Sequence, residues 1–400
     1  MARRSNDEPD TPPTSTGRAA PPDASDGTRP RRLSRPVRWV LALGSVAVVA
    51  GVVALVVIRP GPLGSPSPSP SASASVGPSA SASPSPSASA SPGPSASPSA
   101  SASPSPSDSP DPSASTNPFD GRGLYVNPAS EAMKAVGAAT DPTTRDAFLA
   151  IAEQPAALWL TPEEHPAGEV GPYVAQVVAD AAAGGTLPVL VVYGVPDRDC
   201  GQFSAGGTTV EGYETWVREI ATALQGTQTP VILEPDSLGL AEQCGDVERR
   251  LGLVATAGAV LTEAGAAVYL DGGHSSWHSV EKTADLLRRA GVADVQGFAT
   301  NVSNYNDDAS ELAYAQRLRD QLDGAPFVVD TGRNGNGSDG TWCNPAGAAL
   351  GAAPLTLEAD GLDANLWVKP PGESDGTCEG GPAAGQWWPD RVLRLVAAAG

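Results

Sequence analysis

Four acidic segments of the sequence each follow an apolar run that is typical of a buried parallel strand. Because parallel strands end at the same edge of a sheet, we expect the carboxylates of these segments to converge on one site. Converging carboxylates with aromatic residues nearby are typical of carbohydrate hydrolysis, and the sequence therefore predicts an enzyme. The segments are YGVPDRDC (193–200), LEPDSL (233–238), LDGGHSSW (270–277) and KPPGESDG (369–376).

Eight apolar runs alternate with Ala-rich helical stretches in the C-terminal part of the chain. This alternation predicts a parallel sheet with right-handed crossovers, and eight strands favour a barrel over an open sheet. The predicted fold class is α/β, with a distorted parallel β/α (TIM-like) barrel. No GxGxxG or P-loop motif follows the early strands, which excludes a nucleotide-binding fold. The predicted strands lie in 123–128, 156–162, 188–194, 230–236, 266–273, 297–304, 326–334 and 365–370, and the predicted helices lie in 171–184, 211–224, 245–264, 279–290 and 309–323.

The composition divides the chain into four segments. Residues 1–38 are polar and carry eight Arg, 39–58 are apolar and uncharged, and 59–116 consist mainly of Ser, Pro and Ala. The Ser/Pro/Ala tract cannot bury enough apolar surface to fold, so we expect a disordered linker there. Residues 117–400 have the composition of a globular domain and are numerous enough for one barrel.

The apolar run 39–58 is long enough to cross a bilayer as a helix. Most of the nearby arginines precede it, so the positive-inside rule predicts a cytoplasmic N-terminus and a domain on the extracellular face of the membrane. A cleaved signal peptide is the alternative, and the domain would then be secreted, although the run exceeds the usual apolar length of such peptides. The arginines are Arg29, Arg31, Arg32, Arg35 and Arg38 before the run and Arg59 after it.

Charge and cysteine content restrict the possible partners. Residues 117–400 hold 38 acidic and 16 basic residues, and such a surface repels nucleic acid but accepts a neutral polymer. The four cysteines allow three disulfide pairings, of which proximity in the chain favours Cys200–Cys244 and Cys343–Cys378. A metal site is the competing interpretation, but no CxxC or paired-His spacing is present. We therefore expect a monomer with neither metal nor cofactor.

Several blocks of the globular region resemble glycoside hydrolase family 6, the inverting β-1,4-glucanases. VVYGVPDRDCGQFSAGG and VILEPDSLG are similar to the two signature regions of that family. The other blocks occur in the family's order over essentially all of 117–400: NPFDGRGLYVNP, LDGGHSSW, ATNVSNYN, DTGRNGNG, WCN and WVKPPGESDG. The resemblance implies a β-1,4-glucan substrate that is hydrolysed with inversion.

The resemblance implies unequal roles for the carboxylates. Asp236 is expected to be the general acid, because partial burial after a strand raises the pKa of a carboxyl group. Asp199 is expected to favour that protonation by charge repulsion, with Arg198 keeping Asp199 ionised. Asp199 and Asp375 are both candidates for accepting the proton of the attacking water, whereas Glu234 is expected to point away from the rim. A helix-capping Asp236 and a purely structural Arg198–Asp199 pair are the competing interpretations.

The same resemblance implies a set of substrate-binding residues. Asp271 is expected to contact the substrate or the charge of the transition state, with a turn residue as the alternative. Tyr193 is expected to crowd the sugar ring at the cleavage point, with a core Tyr as the alternative. Flat aromatic faces suit the C–H surface of glucose, and polar side chains suit its hydroxyl rim. The full set is Tyr193, Arg198, Ser204, Asp271, His274, Asn301, Lys369 and Glu373, with Trp159, Trp277 and Trp342 as aromatic platforms.

The shortness of one loop bears on the mode of cleavage. Family members that act from chain ends have long loops that roof the site, and here only 34 residues separate Cys343 from Cys378. We therefore expect an open cleft and an endoglucanase. The alternatives are a cellobiohydrolase and a non-catalytic surface module that binds glucan, and the intact set of four Asp argues against the second.

Overall fold

A computed structural model describes residues 117–400 of the chain. The predicted cytoplasmic segment 1–38, membrane helix 39–58 and linker 59–116 lie outside the described residues and stay predictions. Within 117–400, no helix is both long enough and apolar enough to cross a membrane.

The strands of residues 117–400 form two parallel sheets. The larger sheet has seven strands in the order β2-β4-β5-β6-β7-β8-β9, and the smaller pairs β1 with β3. The strands are β1 (Gly123–Leu124), β2 (Leu158–Leu160), β3 (Thr186–Leu187), β4 (Leu190–Val192), β5 (Pro230–Leu233), β6 (Ala267–Asp271), β7 (Gly297–Thr300), β8 (Phe327–Asp330) and β9 (Leu362–Leu366).

The larger sheet curls until its two edge strands approach each other. Just before β2, the Ala157 N–H donates a hydrogen bond of 2.9 Å to the carbonyl of Trp367, just after β9. The indole Nε1 of Trp159 also donates to the carbonyl of Val368 at 2.9 Å. No strand ladder joins β2 to β9, so the prediction of a distorted parallel β/α barrel is confirmed in its architecture but not as a fully closed sheet.

The prediction of eight strands in one barrel is wrong. The run 123–128 contributes only Gly123–Leu124, which pairs with β3 rather than with the larger sheet. Strand β1 is short because Pro128 has no N–H to donate to a ladder and because Ser130 already caps a helix, with its hydroxyl accepting from the Met133 N–H.

Nine α-helices within 117–400 accompany the strands, and five of them occupy the predicted helical stretches. Several begin at side-chain caps: Asp307, for example, accepts the N–H of Ser310, and Ser279 accepts the N–H of Lys282. The helices are α1 (Glu131–Ala138), α2 (Pro142–Ala152), α3 (Val170–Ala183), α4 (Val210–Ala223), α5 (Ala241–Cys244), α6 (Val247–Glu263), α7 (Val280–Arg289), α8 (Asp308–Gln321) and α9 (Pro389–Ala399).

The strands of the larger sheet are buried on both faces. In β5, Val231 and Leu233 pack with residues of the surrounding helices, whereas Ile232 packs with Tyr269 of β6 in the barrel interior. Burial of each such aliphatic side chain contributes about 1.5–3 kcal/mol. This double burial explains why the strands are continuous apolar runs in the sequence.

Both predicted disulfides are confirmed. Cys200 pairs with Cys244, and Cys343 pairs with Cys378. The first bond ties the turn after β4 to the end of α5, and the second joins the loop after β8 to the loop after β9. Each disulfide therefore holds a segment that carries one of the four acidic residues of interest.

Candidate active site

The carboxyl edge of the larger sheet gathers the four acidic residues. Asp199 follows β4, Asp236 follows β5 and Asp271 ends β6, and these strands are neighbours in the sheet. The Asp236 N–H donates to Oδ2 of Asp271 at 2.9 Å. The charges of Asp199, Asp271 and Asp375 all act on the carboxyl of Asp236. The predicted convergence of these four groups is therefore observed.

Asp236 is a half-buried carboxyl group with a raised pKa. The backbone turns sharply after β5, with Asp236 at φ 66°, a left-handed conformation that Asp tolerates better than most residues. Burial raises the pKa of Asp236 well above its usual range, and repulsion from Asp271, Asp199 and Asp375 raises it further. A carboxyl group that keeps its proton near neutral pH can act as a general acid.

Glu234 is the structural member of the LEPD segment. Its side chain is fully buried and accepts the N–H groups of Gly194 and Val195 and the hydroxyl of Tyr213. Burial raises the pKa of Glu234 to about 7. The carboxyl group thus links the end of β5 to the segment that follows β4, and the prediction that it points away from the rim is confirmed.

Asp199 accepts a hydrogen bond from Tyr193, which in turn packs against Trp159. The Tyr193 hydroxyl donates to Oδ1 of Asp199 at 2.8 Å, and the Tyr193 ring meets Trp159 edge-on with 5.1 Å between centroids. Asp199 itself has a left-handed backbone with φ 56°. Burial raises the pKa of Tyr193, and the charges of Asp236 and Asp199 raise it further, so the hydroxyl stays a donor.

Arg198 does not have the predicted partner. Its guanidinium pairs with Glu163 at 3.2 Å rather than with Asp199, and it also donates to the carbonyls of Ser204 and Tyr193 at 2.7 Å. The residue is 6% exposed, and these bonds hold the loop after β4 from within. The physical reason is that Glu163, which also accepts the Gly207 N–H, faces Arg198 across the loop. The interpretation of Arg198 as a substrate contact is therefore replaced by a loop-holding role.

Asp375 is held as a carboxylate by three donors. Arg333 Nη1 donates to Oδ1 at 2.7 Å, whereas the Tyr305 hydroxyl and the Asn344 N–H donate to Oδ2 at 2.6 and 2.9 Å. Burial opposes ionisation of Asp375, but the Arg333 charge and the hydrogen bonds outweigh it and lower the pKa. The ring of Tyr305 also lies under the Arg333 guanidinium, 4.5 Å from its carbon to the ring centroid.

Arg333, Tyr305 and Asn344 were not predicted. All three lie in sequence blocks that resemble the family: DTGRNGNG, ATNVSNYN and WCN. Tyr305 follows β7 and Arg333 follows β8, so their position after a strand was the available signal for these two residues. What the sequence lacked was any indication that these blocks meet the loop after β9.

Asp271 is the most deeply buried of the four acidic residues, at 1% exposure. Burial raises the pKa of Asp271 to about 7, although the N–H of Asp236 partly offsets that effect. Its position beside Asp236 makes it a source of negative charge next to the acid. Its burial excludes a surface turn, and the predicted contact with the substrate or the transition-state charge stays a prediction.

The predicted aromatic platforms lie on three different parts of the rim. Trp159 is half-buried in β2, with Lys369 Nζ 5.2 Å from its ring centroid. Trp277 is half-buried in the loop after β6, and Trp342 is 53% exposed. Phe203, which was not predicted, is 47% exposed and lies 5.8 Å from Trp342 between centroids.

The predicted polar contacts differ in their availability. Lys369 Nζ pairs with Glu373 at 2.8 Å, and both side chains keep some exposure. His274 is half-buried in the loop after β6. Ser204 is half-buried in the loop after β4, and its carbonyl accepts from Arg198.

Asn301 does not match its predicted role. It is fully buried, and its amide nitrogen donates to the carbonyls of Asn306 and Asp330 at 3.0 and 2.9 Å. Its amide oxygen accepts the Asn306 N–H at 3.2 Å. Because the amide is used to fold the loop after β7, the substrate contact predicted for Asn301 is replaced by a structural role.

Comparison with known sequences places the chain among related proteins. The model of a family described as Glycosyl hydrolases family 6 matches residues 119–399. Endoglucanase A of Cellulomonas fimi is 44% identical over 278 residues, which covers 68% of this chain and 61% of that protein. A probable 1,4-β-D-glucan cellobiohydrolase C of Aspergillus niger is 34% identical over 320 residues, which covers 66% of this chain and 69% of that protein. This chain thus spans less than two thirds of the length of the bacterial relative.

Solved structures show the same similarity. An endoglucanase from Mycobacterium tuberculosis, in complex with methyl-cellobiosyl-4-deoxy-4-thio-β-D-cellobioside, has a TM-score of 0.67 and 40% identity, covering 71% of this chain and 99% of that chain. Cellobiohydrolase II from Humicola insolens, in complex with glucose and cellotetraose, has a TM-score of 0.62 and 28% identity, covering 70% of this chain and 98% of that chain. The chain is therefore similar to proteins of both names.

Proposed function

The chain belongs to glycosyl hydrolase family 6, and we propose that it hydrolyses internal β-1,4-glucosidic bonds of cellulose or a related β-glucan with inversion. The observation that carries this proposal is the group of four carboxyl groups, in which burial and the neighbouring carboxylates raise the pKa of Asp236, whereas the contacts with Arg333, Tyr305 and Asn344 lower the pKa of Asp375. Hydrolysis with inversion needs such a division, because one group protonates the leaving oxygen while a carboxylate activates water.

Asp236 donates the proton to the leaving glycosidic oxygen. Of the two candidates for receiving the proton of the attacking water, Asp199 is the better supported. The carboxyl group of Asp375 already accepts from Arg333, Tyr305 and Asn344, whereas that of Asp199 accepts only from the Tyr193 hydroxyl within residues 117–400. In its ionised form, Asp271 supplies an adjacent negative charge that stabilises the developing positive charge on the sugar ring.

Two observations support cleavage within chains rather than from chain ends. Trp342 and Phe203 at the rim are about half exposed, as expected for an open cleft. The Aspergillus niger match extends over more positions than the Cellulomonas fimi match yet covers less of this chain, so the fungal cellobiohydrolase carries insertions that this chain lacks. The alternative, a cellobiohydrolase, is supported by relatives of that name.

The mode of cleavage is tested on carboxymethylcellulose and on mixed-linkage β-glucan. We expect a rapid fall in viscosity with little release of soluble sugar, because each internal cut shortens chains sharply. NMR of the first product should show the α-anomer. Cellobiose as the sole early product would support the cellobiohydrolase instead, and the β-anomer would exclude this mechanism. Binding without any cleavage would favour a glucan-binding module.

The location of the domain is a separate proposal. We propose that the globular domain lies outside the cell, because the Arg-flanked apolar run 39–58 supports an N-terminal membrane segment or a signal peptide and either one would export the domain. The partner that we propose is the glucan polymer.

Gly239→Ala is expected to weaken saccharide binding through Trp277. A Cβ atom at Gly239 would lie 2.8–2.9 Å from three carbons of the Trp277 ring, so the indole must shift. If this platform stacks on a sugar, KM for cellohexaose should rise by up to about tenfold, the equivalent of one aromatic contact. Steady-state kinetics measure the change.

Gly252→Ala is the matched control for that substitution. Gly252 lies within α6, and nothing lies within 4 Å of its added Cβ. This change should leave the kinetics unaltered and add up to about 1 kcal/mol of stability, because Ala loses less conformational freedom on folding. An unchanged KM in the Gly239 variant would remove Trp277 from the binding platforms.

A further inference from the structure

Helix α8 places a buried carboxyl group beneath the loop that follows β6. Glu311 is fully buried, and its Oε1 accepts the Ser275 N–H at 2.8 Å and Nδ2 of Asn306 at 3.0 Å. Neither Glu311 nor Asn306 has a role in the mechanism above. The contact joins α8 to the loop that begins directly after Asp271.

The side-chain amide of Asn306 is held in one orientation. Because Oε1 of Glu311 already accepts from a backbone N–H, the amide nitrogen rather than the amide oxygen must face it. The backbone of Asn306 is fixed as well, since its N–H and its carbonyl both bond to the Asn301 side chain. Two further acceptors lie near Nδ2, Nδ1 of His274 at 2.8 Å and Oγ of Ser275 at 3.4 Å, and its second hydrogen is directed at the nearer one, Nδ1.

Two donors converge on one nitrogen of His274. Besides Asn306, the Ser276 N–H lies 3.3 Å from Nδ1. Nδ1 must therefore be the unprotonated acceptor, and the neutral ring carries its hydrogen on Nε2. Burial lowers the pKa of His274 to about 4, so the ring is neutral at ordinary pH. Nε2 makes no hydrogen bond to any residue in 117–400 and is free to donate to a ligand.

We propose that Asn306, oriented by Glu311, is a positioning residue that holds His274 as the Nε2–H tautomer and so presents one fixed donor to a saccharide hydroxyl. His274 lies on the same loop as Trp277, with 5.5 Å between ring centroids, so the donor stands beside an aromatic platform. A donor fixed before binding costs no reorganisation when the saccharide arrives. The saccharide part of this inference rests on the proposed function, whereas the tautomer part rests on the hydrogen bonds alone.

The tautomer is tested by NMR of the full chain labelled with nitrogen-15 at histidine. The chain has three histidines, so the ring signals can be assigned one by one. In the native protein near neutral pH, His274 should show an unprotonated Nδ1 and a protonated Nε2. Asn306→Asp replaces the donor by an acceptor at the same place, and the proton should move onto Nδ1. Asn336→Asp, the same change at an exposed loop residue, should leave His274 unaltered.

Kinetics on cellohexaose test the consequence for the saccharide. Asn306→Asp should lower kcat/KM about tenfold, the effect of one lost hydrogen bond, and Asn336→Asp should not. Glu311→Met removes the acceptor and should lower kcat/KM as Asn306→Asp does. Glu311→Gln keeps an oxygen that accepts from Asn306, so its kcat/KM should stay within about threefold of the native value.

Each result decides one part of the inference. A native His274 with its proton on Nδ1 overturns the positioning role whether or not any variant folds. A proton that stays on Nε2 in a folded Asn306→Asp variant overturns it as well. An unchanged kcat/KM in Asn306→Asp, with the tautomer reversed, overturns the saccharide contact. If the native protein cleaves no glucan while the spectra are as expected, the proposed function fails and the tautomer assignment stands.

Discussion

Asp236→Asn is expected to lower the rate of glucan hydrolysis by a factor of about 10²–10⁴, the range that general acid catalysis contributes. Asn has the shape of Asp but carries no transferable proton, and the backbone N–H that bonds to Asp271 is retained. The loss should appear in kcat on cellohexaose. On a substrate with a dinitrophenyl leaving group, the rate of the variant should fall far less, because that group departs without protonation.

The pH profile provides a second sign of the same role. Because the pKa of Asp236 is raised, the native rate on cellohexaose should fall on the alkaline side as the acid loses its proton. In Asp236→Asn, the profile on the dinitrophenyl substrate should lack that alkaline fall. Asp320→Asn, at an exposed position of α8 away from the rim, should keep native rates on both substrates. An equal loss on both substrates in the Asp236 variant would contradict the role of Asp236 as acid.

Arg333→Met is expected to cost about 3–5 kcal/mol of unfolding free energy at neutral pH. The pair that it breaks is buried, with side-chain exposures of 2% for Arg333 and 7% for Asp375. Removing the cation leaves an uncompensated carboxylate and also removes the stacking on Tyr305. Glucan hydrolysis should fall as well, because the loop that carries Asp375 loses its main ionic contact. Chemical denaturation measures the change in stability.

The sign of the pH dependence distinguishes this cause from a simple packing defect. In the native protein the pKa of Asp375 is lowered, so its stabilising contribution is present above its unfolded pKa and is lost as the pH falls through the folded pKa. Without Arg333, burial should raise that pKa, and the carboxyl group should be neutralised in acid. The stability deficit of the variant should therefore shrink as the pH falls from 7 to about 4.

Arg218→Met is the matched control for Arg333→Met. Arg218 pairs with Glu214 on the surface of α4 at 2.6 Å, with both side chains more than half exposed. Loss of such a pair should cost at most about 0.5 kcal/mol. A deficit in Arg333→Met that is equally small, or that does not change with pH, would contradict the importance of the buried pair.

The sequence determined the order of the strands and the positions of the four acidic residues. Parallel strands buried on both faces must be continuous apolar runs, so PVIL in β5 and FVVD in β8 were recognisable without a structure. Their common direction then placed Asp199, Asp236 and Asp271 at one edge. The run 123–128 was misassigned because its apolar residues do not show that it pairs with β3 outside the barrel.

The tertiary structure alone decided which groups the charged and polar side chains contact. Arg198 is adjacent to Asp199 in sequence but pairs with Glu163, 35 residues away, and Asp375 pairs with Arg333, 42 residues away. Two residues that are adjacent in a loop need not contact each other, because residues with left-handed backbone conformations, such as Asp199, change the direction of the chain. Burial of strands follows from local residue pattern, whereas pairing across loops follows from where distant segments meet. For that reason the residues that hold Asp375 and His274 became visible only in the folded chain.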